Sequence, residues 1–402
     1  MAELNTDLLI IGGGVTGLCT AYLCRKKNID CTLIESQETL GKKWRLAGGA
    51  MGNMTNRTIS PEHYVSHNSK QAKKLLQTLF KSWTTEHVLA FMHEMDMEYE
   101  ERDFGQIFCK KPVKNLIGTL VQSLAKTRIL TNEKIQSFSC EQKDPKKHYI
   151  IQTKTHTIRC GKLVIATGSS AYPQLGASDF ALQVARKWGH KTFPFRSALA
   201  PLLLPEHSPL LGLEGISLPV RMKSFRDGQE KADPCGIRAL LFTHTGLSGP
   251  AGLVISCLWK DGETISINFL PEDNLLEKMH DTANGKKLVK NLILPLMPDR
   301  LAYTLMPKDL QERKIAELSK KDRERLIASI QNYQFIPKGI DTFKKAEACI
   351  GGIELDGVTA NLESKLHENL YFGGECLDIT GLLGGYNIHF ALACAHKIAS
   401  KI

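Results

Sequence analysis

Three glycines near the amino terminus have the spacing of a turn that binds the diphosphate of a dinucleotide. Gly12, Gly14 and Gly17 follow the apolar run 8–11 and precede a helix-like segment. In such a turn the first glycine permits a sharp change of direction, the second lets the backbone approach a pyrophosphate, and the third lets the helix pack on the strand. The phosphates would lie at the positive amino terminus of that helix.

An acidic residue stands at the distance at which a carboxylate contacts an adenosine ribose. A second apolar run, 31–34, ends at Glu35, about twenty residues after the turn. A carboxylate there would repel a 2′-phosphate, so FAD or NAD is favoured over NADP. We expect Val15 and Thr16 at the helix start, and Ser36 beside the acid, to join this site. The alternative is a glycine turn in a βα unit of another kind.

A basic and glycine-rich segment comes next. Lys42 and Lys43 follow the acid closely enough to reach a pyrophosphate. Glycines give backbone N–H groups close access to a planar ligand, so we expect the loop that contains Gly48, Gly49 and Asn53 to lie along a flavin ring. The alternative is an ordinary flexible turn.

Short strands are expected at 135–138, 149–153 and 157–159, as a β-meander crossing over the sheet. A third nucleotide-binding strand is expected at 162–166. It ends in the small residues Ala166, Thr167 and Gly168, and a buried strand of this kind commonly closes the first part of an FAD-binding sheet.

The pattern resumes near the carboxyl terminus, where a strand ends in Gly-Glu and is followed by a glycine loop and a closing helix. That helix would point its positive end at the flavin edge where negative charge gathers on reduction. Glu375 or Asp378 would hold the ribityl hydroxyls, and the alternative is that these acids lie in a solvated turn. The expected contacts are Gly374, Glu375, Asp378, Gly384, Gly385, Tyr386 and Asn387.

Between these parts the character of the chain changes. Short strands punctuated by proline and glycine are followed by a charged helical stretch. We therefore predict an α/β fold with a Rossmann-like FAD-binding domain in two pieces, residues 1–194 and 343–402, interrupted by a β unit and a helical unit at 195–342.

Composition narrows the class of protein further. Hydrophobic residues make up 42% and charged residues 23%, which is typical of a globular protein. No signal peptide or membrane-spanning run is evident, so we expect a cytoplasmic protein.

The eleven cysteines form no C-x-x-C pair and no zinc spacing, so we expect neither dithiol chemistry nor a metal. The net charge of +10 favours anionic partners, but the dispersed lysines make nucleic acid a weaker expectation than an anionic cofactor and substrate.

Taken together, these motifs resemble the flavoprotein family of NAD(P)/FAD-dependent oxidoreductases that includes aminoacetone oxidase and the bile-acid-inducible flavin reductases. The resemblance implies bound FAD and an inserted β-barrel plus helical domain. The chain departs from the family pattern in three places. Ala50-Met51-Gly52 stands where the family has Gly-Arg-Cys, Ser169 replaces a glycine, and the segment 176–180 is shorter than the family's Gly-Ser-Thr-Gly-Asp-Gly. The motifs that carry the resemblance are the amino-terminal glycine turn, 41–56, 166–168, 172–176, 189–190, 200–202, 241–250, 351–352, 374–381 and 384–387.

The leading hypothesis is an FAD-dependent oxidoreductase that acts on a small organic substrate by hydride transfer, since the cofactor carries such chemistry. No second glycine turn follows a strand, which slightly favours oxidation by O₂ over a pyridine-nucleotide reductase, and NAD(P)H would dock only transiently as electron donor. A second hypothesis is an FAD-binding protein with little turnover, serving as a redox sensor or an RNA-associated flavoprotein.

One histidine is a candidate catalytic residue. His244 lies in the segment 243–250 and is expected to be a proton donor or a substrate ligand. The alternative is a structural turn in which Ser248 caps a helix that has Pro250 in its first turn.

Overall fold

The computed structural model describes residues 2–143, 146–226, 229–230 and 236–402. Two compact units are present. The terminal unit combines Met1–Arg196 with Glu347–Ile402, and the inserted unit is Ser197–Ala346. The predicted fold class is confirmed, because a Rossmann-type α/β sheet forms the first unit and an antiparallel sheet with helices forms the second.

The strands, in chain order, are β1 (Ala2–Ile11), β2 (Thr32–Ile34), β3 (Asn53–Asn56), β4 (Tyr64–Val65), β5 (Tyr99–Arg102), β6 (Gln106–Cys109), β7 (Arg128–Leu130), β8 (Ile135–Lys143), β9 (Lys146–Thr153), β10 (His156–Ile165), β11 (Thr192–Ala198), β12 (Leu202–Leu203), β13 (Ser217–Arg226), β14 (Gln229–Glu230), β15 (Ile237–Phe242), β16 (Gly246–Ser248), β17 (Thr264–Asn268), β18 (Tyr333–Phe335), β19 (Gly339–Ile340), β20 (Ala348–Ile353), β21 (Leu370–Phe372) and β22 (Thr380–Gly381). The α-helices are α1 (Val15–Lys26), α2 (Ser69–Ser82), α3 (Thr85–Glu94), α4 (Val113–Ser123), α5 (Phe180–Lys187), α6 (Gly249–Leu258), α7 (Leu275–His280), α8 (Val289–Ile293), α9 (Asp299–Leu305), α10 (Lys320–Gln331) and α11 (Tyr386–Lys401).

The main sheet of the terminal unit has the order β7-β2-β1-β10-β9-β8, and β21 pairs with β10. Strand β1 is parallel to both β2 and β10. Its residues 8–11 are all buried, because a parallel strand covered on both faces needs a continuous apolar run. The carboxyl ends of β1, β2 and β10 therefore meet at one edge, where the glycine turn begins.

Strand β10 corrects two sequence predictions. The segments 157–159 and 162–166 were expected to be separate strands, but they form one strand because its hydrogen-bonding partner changes along its length. The first half pairs with β9 in antiparallel fashion and the second half pairs with β21 in parallel fashion. For the same reason β8 and β9 extend the main sheet, whereas the sequence predicted a meander crossing over it.

Helix α11 lies against α1 and is buried along most of its length. The Thr16 hydroxyl donates to the Ala391 carbonyl across this contact, at 3.2 Å. His389 is fully buried on the same helix. Its Nδ1 lies 2.8 Å from Thr55 Oγ1 and its Nε2 lies 3.1 Å from the Trp83 carbonyl oxygen. The ring thus ties α11 to β3 and to the end of α2.

This buried imidazole makes stability depend on pH. Burial lowers the pKa of His389 from 6.5 to about 4, so the folded protein favours the neutral ring. Its contribution is fully present above pH 6.5 and is lost as the pH falls from 6.5 towards 4, a loss of about 3 kcal/mol in the free energy of unfolding. We expect His389→Gln to be less stable near neutrality and to lose this slope.

Urea unfolding at a series of pH values across that window measures the slope. The control is His93→Gln, which changes an exposed histidine on α3 and should leave the slope unaltered. If the His389 variant loses the same unfolding free energy between pH 6.5 and 4, the pH dependence does not come from His389.

The inserted unit contains an antiparallel sheet with the order β18-β17-β13-β15-β16-β12-β19, and β14 pairs with β13. Helix α6 packs on β13 and β15. Large side chains fill the interior, with Phe242, Trp259 and Phe269 almost fully buried. The Trp259 indole N–H donates to the Glu263 carbonyl at 2.7 Å, so the buried polar end of this side chain is satisfied.

Candidate dinucleotide site

The glycine turn has the geometry that its spacing predicts. Gly12 has φ +107°, and a β-carbon there would lie 2.5 Å from the Ala166 carbonyl oxygen. A β-carbon on Gly17 would overlap the Gly12 carbonyl oxygen, so this glycine allows α1 to pack on the turn. Gly14 differs, because a β-carbon there would meet no atom of the described chain within 4 Å. Gly14 therefore borders open space at the amino terminus of α1, where a pyrophosphate would fit.

Glu35 lies directly beside this turn. One carboxylate oxygen accepts a hydrogen bond from the Gly13 N–H at 2.8 Å. The other oxygen accepts from the Gln37 N–H at 2.9 Å and from the Ser36 hydroxyl at 3.1 Å. The carboxylate is thus held at the end of β2 with part of its surface exposed, which suits the predicted ribose contact.

Lys43 and Glu375 form an ion pair across the site. Lys43 Nζ lies 2.6 Å from Glu375 Oε2, and the Ser169 hydroxyl donates to the same oxygen at 3.0 Å. The structure therefore brings three separate segments together at Glu375. Lys42 instead donates to the Gln37 side chain at 3.1 Å. Ser169, the departure from the family glycine, supplies a hydrogen bond that a glycine could not make.

The carboxyl-terminal glycine loop is fixed by one side chain. Asn387 accepts from the Gly381 N–H and donates to the Gly381 carbonyl, both at 2.8 Å. Gly385 precedes α11 with φ +87°, and a β-carbon there would lie 2.7 Å from Asn53 Oδ1. Tyr386 is buried and its ring stacks on His63 at 4.4 Å. The loop thus places the amino terminus of α11 against the loop that contains Asn53.

The buried polar atoms that have no hydrogen-bond partner among the described residues include Asn53 Oδ1 and Thr167 Oγ1. Asn53 Nδ2 donates to the Gln106 side chain at 2.7 Å, whereas Asn53 Oδ1 accepts no hydrogen bond. Buried polar atoms are almost always paired, and a ligand with N–H and O–H groups would satisfy both. Gly49 also borders open space. The residues present therefore fit FAD along the predicted path.

Asp378 has a different environment from the one predicted. Its side chain is 1% exposed, and its carboxylate is occupied by the segment after β4. Oδ2 accepts from the Ser66 hydroxyl at 3.0 Å and from the His67 N–H at 2.8 Å, and Oδ1 lies 2.8 Å from His67 Nδ1. A ribityl contact would compete with these bonds.

Sequence reasoning missed Ser66 and His67 because nothing local marks them. They lie 312 and 311 residues from Asp378. The only available signal was the acid itself, which needs a partner once it is buried.

The remaining predicted residues lie in two places. Val15 and Thr16 begin α1, and Gly48 lies next to Gly49 in the loop before β3. His244 belongs to the inserted unit, on the turn between β15 and β16. Its side chain is 87% exposed and its Nδ1 lies 3.9 Å from Glu214. Its catalytic role remains a prediction.

The cysteines offer no activated thiol at this site. All ten described cysteines are free, and Cys235 lies outside the described residues. Burial raises the pKa of Cys349 to about 11 and that of Cys376 to about 12, so both are protonated at neutral pH.

The described chain contains no group of three or more His, Cys, Asp or Glu side chains placed to hold a metal ion. In the same residues no helix has the length and apolar character needed to cross a bilayer.

We expect Asn387→Ala to loosen the glycine loop, because two hydrogen bonds to Gly381 are lost together. The free energy of unfolding should fall by about 2 kcal/mol, and FAD affinity should fall about tenfold as the loop loses its fixed geometry. Urea unfolding and a fluorescence titration with FAD measure the two effects. Asn115→Ala, at an exposed position on α4, is the matched control. Full FAD affinity in the Asn387 variant would contradict this role of the side chain.

A glycine turn, an acid held beside it and a second glycine loop on a Rossmann-type sheet define a flavoprotein of the nucleotide-binding α/β class. The chain belongs to the HI0933-like protein Rossmann domain family, whose profile matches residues 6–401. This membership confirms the predicted resemblance and places the chain in a family of FAD-binding oxidoreductases.

Curated relatives cover almost the whole chain. A ribosomal RNA dihydrouridine synthase of Haemophilus influenzae is 31% identical, over 99% of this chain and 98% of its own. A protein of the same name from Escherichia coli is 30% identical, over 98% of both chains. A 3-dehydro-bile acid delta(4,6)-reductase of Clostridium scindens is 24% identical, over 96% of both.

Among solved structures, a 3-ketosteroid delta1-dehydrogenase from Sterolibacterium denitrificans matches 99% of this chain and 100% of its own. The TM-score is 0.50 and the identity is 11%. This likeness concerns the fold alone.

Proposed function

We propose that this protein is an FAD-dependent reductase that saturates the C5–C6 double bond of uridine in ribosomal RNA. The observation that carries the proposal is the 31% identity to a ribosomal RNA dihydrouridine synthase along nearly the full length of both chains. The proposal replaces the small organic substrate of the leading sequence hypothesis with a nucleotide in a large RNA, and it gives the RNA-associated alternative a catalytic activity.

The chemistry is shared by relatives with different substrates. The C5–C6 bond of uridine is conjugated to the C4 carbonyl, and the name of the Clostridium relative describes the reduction of double bonds conjugated to a 3-keto group. Both reductions add a hydride to the carbon that is electron-poor because of the carbonyl and a proton to the other carbon. Bound FAD, once reduced, supplies the hydride. The protein must hold the cofactor, orient the carbonyl and deliver the proton.

The residues of the terminal unit support the first of these tasks. Gly14 and Gly49 leave open backbone for the ligand, and Glu35 is held at the end of β2, where it would contact an adenosine ribose. Lys43 and Ser169 bond Glu375, which would lie beside the ribityl chain. Asn53 Oδ1 and Thr167 Oγ1, which are buried without a hydrogen-bond partner, would bond the cofactor.

Two further features follow from this proposal. The electron donor is NADH or NADPH, which docks transiently because the sequence contains no second dinucleotide turn after a strand. RNA binding is favoured by the net charge of +10, since lysines that neutralise phosphates release counterions, and affinity should therefore fall steeply with salt.

A small-molecule enone is the second candidate substrate, and the 24% identity to the bile-acid reductase favours it. The two substrates are separated by the half-reaction in which the reduced flavin is reoxidised.

The experiment uses protein reduced anaerobically with NADPH or NADH and then mixed with ribosomal RNA while flavin absorbance is followed. RNA from cells that lack the gene has the unmodified target uridine and should reoxidise the flavin. RNA from cells that express the gene is already reduced at that position and should not. Equal reoxidation by both RNAs, or reoxidation by a steroid enone alone, would contradict the proposal.

A further inference from the structure

We propose that His67, oriented by Asp378, is the general acid that protonates the substrate during the reduction. This inference rests on the proposed function and adds the residue that carries out its second half. The pairing of His67 with Asp378 was not visible in the sequence, where Asp378 was expected to hold the ribityl chain.

The two side chains form a carboxylate–imidazole dyad. Asp378 Oδ1 lies 2.8 Å from His67 Nδ1. An ionised carboxylate can only accept, so Nδ1 carries the proton of this bond. Two more donors, the Ser66 hydroxyl and the His67 N–H, hold the other carboxylate oxygen. The carboxylate is therefore fixed in place and cannot rotate away from the ring.

The opposite end of the ring is available to a substrate. The His67 side chain is 43% exposed, whereas the Asp378 side chain is 1% exposed. The ring stacks on Phe193 at 4.2 Å with an interplanar angle of 10°, which fixes its plane. Among the described residues, none forms a hydrogen bond with Nε2. A histidine that is held at Nδ1 by a carboxylate and has its Nε2 without a partner in the chain is the usual arrangement of a general acid or base.

The dyad belongs to the cofactor segment of the terminal unit. Strand β4 pairs with β22, with Val65 opposite Thr380 and Tyr64 opposite Gly381. The Leu382 N–H donates to the His63 carbonyl at 2.9 Å. Asp378 lies between Glu375 and the glycine loop that Asn387 fixes. His67 is therefore attached to the same backbone that frames the expected flavin position.

Reduced FAD, when bound, would supply a hydride to the double-bond carbon farther from the carbonyl, which is C6 of uridine. The electron pair of the bond would move to the carbon next to the carbonyl, which is C5. His67 Nε2–H then breaks and a C–H bond forms at that carbon. The imidazole is left neutral with its Nδ1–H still bonded to Asp378, and it regains a proton from solvent. The sum is one hydride and one proton added, with the flavin oxidised.

The alternative is that Asp378 and His67 only clasp two segments together. The variants His67→Gln and His67→Phe separate these roles. Glutamine can still donate to Asp378, and phenylalanine can still stack on Phe193, but neither can protonate a substrate. His93→Gln, on the exposed side of α3, is the control.

We expect both His67 variants to bind FAD and to be reduced by NADPH or NADH within about twofold of the wild-type rate. Reoxidation by unmodified ribosomal RNA should be at least about 100-fold slower, the usual effect of losing a general acid, while KM changes little. If wild type and both variants reoxidise at the same rate, the role of His67 is overturned and the reductase function stands. If wild type itself fails to reduce RNA, the reductase function is overturned instead.

A measurement without flavin tests the dyad directly. Nitrogen-15 NMR of the histidine side chains in the apoprotein should show the His67 proton on Nδ1, hydrogen-bonded to a carboxylate. In Asp378→Asn this signal should shift, because an amide no longer accepts in the same way, while His93 should be unchanged. A proton found on Nε2 alone, or no change in the Asp378 variant, would overturn the proposal.

Discussion

Gly14→Ala is expected to weaken FAD binding strongly while leaving the apoprotein folded. The backbone at Gly14 has φ −81° and ψ −166°, which alanine adopts without strain. A β-carbon there meets no described atom within 4 Å, so the empty turn accommodates it. The same carbon occupies the space through which a pyrophosphate must approach the amino terminus of α1.

The affinity for FAD should fall at least about 100-fold, or about 2.7 kcal/mol. A fluorescence titration measures the affinity, and circular dichroism with urea unfolding measures the fold. The matched control is Gly118→Ala on α4, where a β-carbon also meets nothing within 4 Å. That control should bind FAD normally and gain slightly in stability, since alanine favours a helix over glycine by about 1 kcal/mol. Normal FAD binding by the Gly14 variant would mean that the cofactor does not use this turn.

Gly17→Ala is expected to have the opposite result, a failure of the fold itself. A β-carbon on Gly17 would overlap the Gly12 carbonyl oxygen, and neither backbone can yield without lifting α1 from β1. Residues 8–11 of β1 are fully packed, so the helix cannot shift at low cost. The free energy of unfolding should fall by about 3 kcal/mol or more.

Urea unfolding of the apoprotein measures this effect without the cofactor. The Gly14 variant is the natural comparison, because the same methyl group is added three residues earlier in the same turn. An unchanged unfolding midpoint for Gly17→Ala would contradict the close packing of turn and helix.

Local spacing predicted the features that depend on neighbouring residues. The glycine turn and Glu35 lie within one βα unit, where each residue has its role because of its distance from the next. The apolar run 8–11 before the turn corresponds to the buried end of β1. The family resemblance predicted the flavoprotein class and the two-part domain, because the motifs recur along the whole chain.

Long-range pairing could not be predicted in this way. Lys43 was expected at a pyrophosphate and is paired with Glu375, which is 332 residues away. Asp378 was expected at the ribityl chain and is occupied by Ser66 and His67. The sequence shows that these residues are charged, but it does not show their partners. Those partners are determined by the pairing of β4 with β22 and by the return of the chain to the first sheet. The merging of two predicted strands into β10 has the same origin, since the strand changes partner midway.

Ser169 illustrates how a departure from the family pattern can be explained. It was singled out because relatives usually have glycine there, and its hydroxyl donates to Glu375 at 3.0 Å. The added hydrogen bond supplements the Lys43 ion pair at the same carboxylate oxygen. For the departure at Met51-Gly52, the described residues show no comparable contact with a charged group.

Substrate choice within this family then depends on residues outside the shared FAD-binding site. Relatives named for ribosomal RNA and for a bile acid align along nearly their whole lengths with this chain, so the FAD-binding residues do not separate the two substrates. A proton donor suited to any conjugated carbonyl, such as His67, would serve both. The net charge of +10 is the feature of this chain that favours the polyanion.

The formation of dihydrouridine in ribosomal RNA is the most direct test of this function. Purified protein with FAD and NADPH or NADH is incubated with ribosomal RNA from cells that lack the gene, and the digested nucleosides are quantified by mass spectrometry. We predict that dihydrouridine appears only when the nicotinamide donor is present, and that Gly14→Ala gives little or none. Flavin that is reduced by the donor, with no dihydrouridine formed in any RNA, would contradict the account.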